Sequence, residues 1–261
     1  MEKKIIANYH THTFRCRHAS GSDREYVEEA IRAGIKILGF ADHSPMPFKN
    51  GLRSGIRMSL EQTEEYFRSI TDLAKEYQND IKIYAGVEAE YYPEIFPDLL
   101  EFLSDYPMDY MICGQHFIDK EHGSYYMGSR FDLEWVLERY VENVCSAIES
   151  GKFLYIAHPD LPQFTGDSDV YERHMEKLCQ CALSHNIPLE LNVLGYTKNP
   201  ACPPYPTERF FKIASRVGNR IVMGIDAHNP MAFHDFKSQN VLFDFAARLG
   251  LSVEGFENAL K

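Results

Sequence analysis

IVMGIDAH, residues 221–228, is an apolar run that ends in Asp226 and His228, and the same construction recurs along the whole chain. IIANYH (5–10), ILGFADH (37–43), IYAGVE (83–88), YMICGQH (110–116) and LYIAHP (154–159) each lead a short apolar stretch into a histidine or a carboxylate. Runs of that length and composition read as buried strands of a parallel sheet. Each polar residue therefore stands at the C-terminal end of a strand, the face on which an α/β barrel collects its chemistry. In chain order the candidate metal ligands are His10, His12, His18, His43, Glu88, His116, His158, Asp226 and His228. Unrelated core histidines have no reason to share that position.

Seven strands are predicted, at about 4–9, 35–42, 81–89, 109–117, 153–160, 187–193 and 220–227. Helical signals fill the gaps. Ser22-x-x-Glu25 is a capping box opening a helix that Gly34 ends, and Ser59-x-x-Gln62 opens a second reaching about Gln78. Asp132 is placed to cap a third running to Glu149, where Val136, Tyr140, Val141, Val144 and Ile148 recur at helical spacing. Further helices are expected at 168–185, 206–217 and 239–249. Strands alternating with helices imply parallel strands joined by right-handed crossovers. No linker or repeat interrupts them, so residues 1–261 read as one domain. The loops 44–58 and 195–206, rich in proline and glycine, are expected to shape a pocket. Trp135 is expected to pack its helix.

The composition narrows the function. The chain has 261 residues, 44% of them apolar, enough for one large core. Its net charge of −11 provides no basic footprint for nucleic acid. Six cysteines (Cys16, Cys113, Cys145, Cys179, Cys181, Cys202) form no CxxC pair, which points to reduced thiols and a cytoplasmic protein. Cys16, between His12 and His18, is within sequence reach of a metal. The first ten residues turn polar too soon for a secretory leader, and no apolar stretch approaches the roughly 20 residues of a membrane span.

Taken singly, these ligand candidates are ordinary. His10-x-His12 puts two imidazoles on one side of a strand, and a histidine after Asp42 has a carboxylate able to orient it. Glu88 in an apolar strand needs a partner, either an arginine or a cation. Jointly they exceed one ion's needs and suit three. Three divalent ions against Glu88 and Asp226 leave about four positive charges, ample for a phosphate despite the acidic chain. His122, His174, His185 and His234 lie in helical or loop contexts and read as solvated.

The stretches YHTHTFRCRHASG (9–21), GFADHSPMP (39–47), RMSLEQTEEYF (57–67), GVEAEYYPE (86–94), HPDL (158–161), LELN (189–192) and GIDAH (224–228) resemble the PHP (polymerase and histidinol phosphatase) superfamily, and within it the histidinol-phosphate phosphatases. The resemblance covers essentially the whole chain. It implies a distorted (β/α)7 TIM-like barrel with three divalent ions, Zn, Mn or Fe. One ion would take His10, His12, Glu88 and Asp226; a second would share Glu88 and add His116 and His158; the third would take His18, His43 and His228. The implied reaction is hydrolysis of L-histidinol phosphate in histidine biosynthesis, with a metal-bridging hydroxide as nucleophile. Glu88, Asp226 and His228 would form the catalytic group, with Asp226 a candidate proton donor. Arg57 is a candidate for the phosphate, and Asp160, Glu190 and Asn192 for the substrate's ammonium and imidazole.

Several positions depart from the pattern. Gly114 precedes Gln115-His116 where a serine is common before the histidine, and Glu90 stands where an aspartate is usual. Val193 and Leu194 replace hydroxyl residues, and Tyr196-Thr197-Lys198 replaces an expected arginine. The expected partner is a small phosphomonoester, with neither nucleic acid nor a membrane involved; a nucleotidase or 3′–5′ exonuclease is the alternative. An amidohydrolase also opens with HxH, but it needs a carboxylated lysine where this chain has Glu88.

Overall fold

The computed structural model describes residues 3–49, 51–121, 123–257 and 259–260; His122 lies outside them. Parallel pairing runs without reversal around a barrel. β1 (Ala7–Asn8) pairs with β2 (Ile37–His43), and β2 pairs with β3 (Lys82–Ala89) from Ile37↔Lys82 to His43↔Glu88. β3 continues to β4 (Tyr110–Cys113). A two-residue parallel ribbon, β5 (Arg130–Phe131) with β6 (Gln163–Phe164), lies outside the barrel. The fifth barrel segment is a single bridging residue, Ile156, paired to Cys113 on one side and Leu189 on the other. β7 (Leu189–Asn192) and β8 (Ile221–Gly224) follow, and a Thr11↔Ala227 bridge returns to the first segment. At its foot β8 pairs instead with β9 (Val253–Glu254).

The seven segments match the seven expected strands, yet the first and fifth are far shorter than their apolar runs. At the first, a side chain replaces part of the ladder. Asn8 Nδ2 donates to His10 O and Thr11 Oγ1, and its Oδ1 accepts the Ile225 N–H at 2.8 Å. The seam between first and last segments is thus stitched by Asn8, His12 N→Ala227 O and Ala227 N→His10 O.

Helices cover the outside. α1 (Asp23–Ala33) starts on the Ser22/Glu25 capping box and ends on Gly34, whose φ of 87° satisfies the last carbonyls. α2 (Thr63–Glu76) follows a 3-10 turn at Leu60–Gln62 that uses the Ser59/Gln62 box. α3 (Phe96–Leu103) was not anticipated; it is two turns long, too short to show a period, with Pro97 in its first turn as its one local signal. α4 (Glu134–Glu149) is capped by Leu133 without a side-chain bond, so Asp132 is not the cap. Trp135 on its first turn is 53% exposed and meets Tyr125 edge-on, contrary to a packing role within the helix. α5 (Ser168–Ser184) is capped by Asp167. α6 (Val193–Lys198), within an expected loop, begins where Asn192 accepts the Gly195 N–H. α7 (Glu208–Val217) and α8 (Phe236–Arg248) complete the ring.

Inside the barrel, below the polar end, Tyr9, Tyr84, Tyr110 and Tyr155 pack with Ala7, Ile112 and Val222. Tyr110 crosses the lumen, its hydroxyl 2.7 Å from Tyr9 O and 2.9 Å from Phe40 O. Gly39 and Gly86 make the crossing possible, because a Cβ at either would collide with the Tyr110 side chain. This floor leaves the upper lumen to the polar cluster.

Replacing Asn8 by alanine should cost about 2–3 kcal/mol, since it strands the buried Ile225 N–H. Urea unfolding should show a lower midpoint with an unchanged slope; an unchanged midpoint would mean that backbone bonds alone close the seam.

Candidate metal centre

The register of the strands delivers the ligands. His43 and Glu88 are paired residues at the ends of β2 and β3, and the Thr11↔Ala227 bridge sets His10 and His12 beside Asp226 and His228. All nine candidates fall in one cluster. Ring centroids lie 4.1 Å apart for His12 and His228, 4.5 Å for His12 and His43, 4.8 Å for His116 and His158, and 5.2 Å for His18 and His43.

Glu88 is the hub. Its Oε1 meets His158 Nε2 at 2.8 Å, His10 Nε2 at 3.5 Å and His116 Nε2 at 3.7 Å. Its Oε2 meets His43 Nδ1 at 2.9 Å and His12 Nε2 at 3.6 Å. Asp226 Oδ1 meets His12 Nε2 at 3.1 Å, His228 Nδ1 at 3.3 Å and His10 Nε2 at 3.4 Å. Two ligands of one tetrahedral ion, each bonded at about 2.0–2.1 Å, stand roughly 3.3 Å apart. Much of the cluster therefore has the spacing of shared ions rather than of direct hydrogen bonds.

Other features fit the same reading. His10 Nε2, Glu88 Oε2, His116 Nδ1, His158 Nδ1 and Asp226 Oδ1 are buried without a hydrogen-bond partner among the described residues, a costly state unless a cation engages some of them. Most of the imidazoles are also oriented from behind. His10 Nδ1 faces Glu190 Oε1 at 2.8 Å, His18 Nδ1 faces Cys16 O at 2.8 Å, and His228 Nδ1 faces Asp226 O at 3.0 Å. Behind His12 stands Asp42, itself fixed by Thr13 Oγ1 and by the His43 N–H. Holding Nδ1 in this way turns Nε2 toward the centre. His158 and Asp226 adopt φ of 30° and 56°, strained values for side-chain-bearing residues that are retained where they serve a site.

Two glycines make room for the carboxylates. A Cβ at Gly114 would land on Glu88 Oε1, and one at Gly224 would land on Glu190 Oε1. Any side chain in place of Gly114 would meet the Glu88 carboxylate where it now stands.

Charge follows from crowding. Burial opposes ionisation of Glu88, yet His116, His43 and His10 hold it well below the usual carboxylate range. Burial likewise opposes an ionised Asp226, and His10, His12 and His228 hold it down in the same way. A carboxylate held ionised in this way is suited to a cation and is not a ready proton donor. Burial lowers the His10 imidazole, but Asp226, Glu190 and Glu88 outweigh it and push it up to about 10. Burial dominates at His43 and holds it well below its ordinary value.

The four residues proposed for substrate sit elsewhere. Arg57 is buried with its guanidinium on Glu90 Oε2 at 2.7 Å, Glu121 Oε1 and Ser44 O, so its charge is already neutralised. Glu90 in turn accepts the His116 and Phe117 N–H groups, which makes it a support for a ligand that the sequence reading passed over. Asp160 faces away from the site and accepts the Thr207 N–H; burial pushes its carboxyl up to about 7. Glu190 lies behind His10 and His158, accepting the His158 N–H at 2.9 Å, and Asn192 links it to Asp226. All four are engaged by protein groups around the cluster, Asp160, Glu190 and Asn192 from at or just past strand ends and Arg57 from the 44–58 loop.

A cavity of about 550 Å³ opens above the ligands. Besides the candidate ligands it is lined by Gly55, Ile56, Lys198 and Tyr205 from the two loops expected to form a pocket, by Phe117 and Tyr126 from the 117–126 turn, by Leu161 beyond the fifth segment and by Leu194 on α6. Lys198 is its one ammonium among the described residues, 3.2 Å from Tyr205 Oη. Of the remaining histidines, His185 is exposed, but His174 is buried against Glu134 and His234 pairs with Glu29, so those two are not simply solvated.

A parallel α/β barrel with buried imidazoles and carboxylates gathered at the strand ends defines a metal-dependent barrel enzyme. Residues 8–193 match the PHP domain, and the chain belongs to that family. It is 31% identical over 234 residues to a "Probable histidinol-phosphatase" of Deinococcus radiodurans, covering 86% of this chain and 87% of that one. It is 27% identical over 248 residues to a histidinol-phosphatase of Bacillus subtilis, covering 84% and 92%. The crystal structure of histidinol phosphate phosphatase from Lactococcus lactis, complexed with zinc, L-histidinol and phosphate, superposes with a TM-score of 0.70 at 20% identity over 96% of both chains. That likeness establishes the distorted barrel. Among the described residues no helix is long and apolar enough to cross a membrane.

Gly114→Ala should displace Glu88 and cut divalent-metal content at least to half, measured by elemental analysis of protein purified without chelator. Full metal content would show that Glu88 has room to move. Metal uptake should also depend on pH. In the metal-free protein His10 stays protonated up to about pH 10, and a ligand must shed that proton. Apparent affinity should then rise about tenfold per pH unit from 7 toward 10 for this group alone. Titration calorimetry in buffers of different ionisation enthalpy should detect proton release at pH 7; its absence would mean that His10 is already neutral.

Proposed function

We propose that this protein hydrolyses L-histidinol phosphate to L-histidinol and phosphate with the help of three divalent ions, Zn, Mn or Fe. The observation that carries the reading is the clustering of all nine candidate residues under an aromatic cavity, in a chain whose relatives bear the histidinol-phosphatase name. His10, His12, Glu88 and Asp226 would hold one ion, Glu88, His116 and His158 a second, and His18, His43 and His228 a third. Glu88 touches members of all three sets, which suits a bridging role, since Oε1 faces His10, His116 and His158 while Oε2 faces His12 and His43. When bound, the ions supply water activation and neutralise phosphoryl charge.

The rest falls to the protein's own side chains. With Arg57 occupied below, Lys198 is the cation placed to pair with the phosphate, held over the Tyr205 ring. Phe117, Tyr126, Leu161 and Leu194 offer apolar faces suited to an imidazole. Glu190, Asn192 and Asp42 keep the ligands aimed. The acidic chain and small cavity suit a small phosphomonoester and not a polynucleotide.

Metal-reconstituted protein should turn over histidinol phosphate with a higher kcat/KM than nucleoside monophosphates or an aryl phosphate. A preference for nucleotides would move the reading to a nucleotidase or exonuclease. Lys198→Ala should lower kcat/KM by about 10–150-fold, the equivalent of roughly 1.5–3 kcal/mol for a charge-assisted contact, with metal content intact. Arg57→Ala should instead destabilise the fold, because it strands two buried carboxylates. If Arg57→Ala alters KM and leaves stability untouched, the roles of the two cations are reversed.

A further inference from the structure

Cys16 is fully buried four residues after His12 and two before His18. A single 3-10 turn at Phe14–Cys16, capped by Thr13 and ended by Arg17 at φ 70°, folds the chain back so that the thiol faces the histidines. Its Sγ and one ring nitrogen each of His18 and His228 lie within 4.8 Å of one another. A second triangle of the same size joins Sγ to His12 and Asp42. A buried, unpartnered carboxylate oxygen, Asp226 Oδ1, points into the same corner, 3.1 Å from His12 Nε2 and 3.3 Å from His228 Nδ1. The thiol now donates to Thr13 O at 3.1 Å.

We propose that Cys16 is a thiolate ligand of the ion that His18 and His228 hold. The inference rests on the metal-centre reading and adds a donor outside the nine expected ones. Metal–sulfur and metal–nitrogen bonds of about 2.3 and 2.0 Å bring the three donors together with a small rotation of the cysteine side chain. Ligation breaks the S–H bond and forms a metal–sulfur bond; the proton passes to solvent and no electron is transferred. One ion of the cluster thereby gains a soft donor, which favours zinc over manganese at that position while the two nitrogen-and-oxygen positions stay less selective.

X-ray absorption at the zinc edge of the zinc-loaded protein tests this directly. It should show one sulfur at about 2.3 Å per chain, averaged with nitrogen and oxygen neighbours. The cobalt-substituted protein should carry a sulfur-to-cobalt charge-transfer band in the near ultraviolet. Cys16→Ser and Cys16→Ala should abolish both signals, and chelator competition should strip one ion per chain from the variants well before the others. If the variants fail to fold, the wild-type absorption spectrum decides alone. Zinc or cobalt bound through nitrogen and oxygen only overturns the role of Cys16 and leaves the metal centre standing. A wild-type protein that binds neither metal overturns both.

Discussion

The carboxylate of Glu88 sits almost fully buried against five imidazoles, and the upper half of the barrel is organised around that placement. A carboxylate in such surroundings is expensive unless positive charge compensates it. The imidazoles can supply that charge by taking protons, as the raised His10 and depressed Glu88 indicate, or they can stay neutral and share cations with it. Both solutions need the same geometry. The β2–β3 register brings His43 alongside, and Gly114 at the end of β4 leaves the volume that the carboxylate occupies.

The same device is repeated one layer out. Glu190 rests on Gly224 as Glu88 rests on Gly114, and it fixes His10 and the His158 backbone. Glu90 does this for His116, with Arg57 balancing its charge and that of Glu121. Asp42 does it for His12. A cluster of like rings at 4–6 Å separations would drift apart if each were held only by its own rotamer. Carboxylates on neighbouring strands hold them instead, which turns strand register into ligand geometry.

The gathering of nine polar residues at one end of the barrel and the number of barrel segments were legible because most are written as apolar runs with one polar terminus. Shorter features were not. α3, α6, the β5–β6 ribbon and β9 are each too brief to display a period, and α6 begins through the Asn192 side chain rather than through composition. Arg57, Asp160, Glu190 and Asn192 turn to protein partners, which their sequence positions do not foretell. Strand alternation says which side of the strand a residue faces, but not whether its side chain rises to the cavity or stays beneath the ligands. Arg57 lies in a loop, where even that guide is missing, and only its pairing with Glu90 and Glu121 shows that it is buried. Lys198, by contrast, was noted only as a departure from an expected arginine, and its place beside Tyr205 follows from α6.

The barrel's weakest joint is also where most of the chemistry gathers. Between the first and last segments the backbone contributes one bridge, Thr11↔Ala227, and Asn8 contributes the rest. His10 and His12 come from one side of that seam, and Asp226 and His228 from the other. An ion held jointly by these residues crosses the seam at its top, while β9 and the Tyr9–Phe256 contact cover its foot. Binding of that ion is therefore coupled to barrel closure, because only the closed form offers both pairs of ligands at once. The stabilisation grows with the logarithm of free metal over its dissociation constant. An ion so placed would be part of the fold as well as of the site, and the few hydrogen bonds at the seam would need only to hold the two pairs of side chains close enough for it to join them.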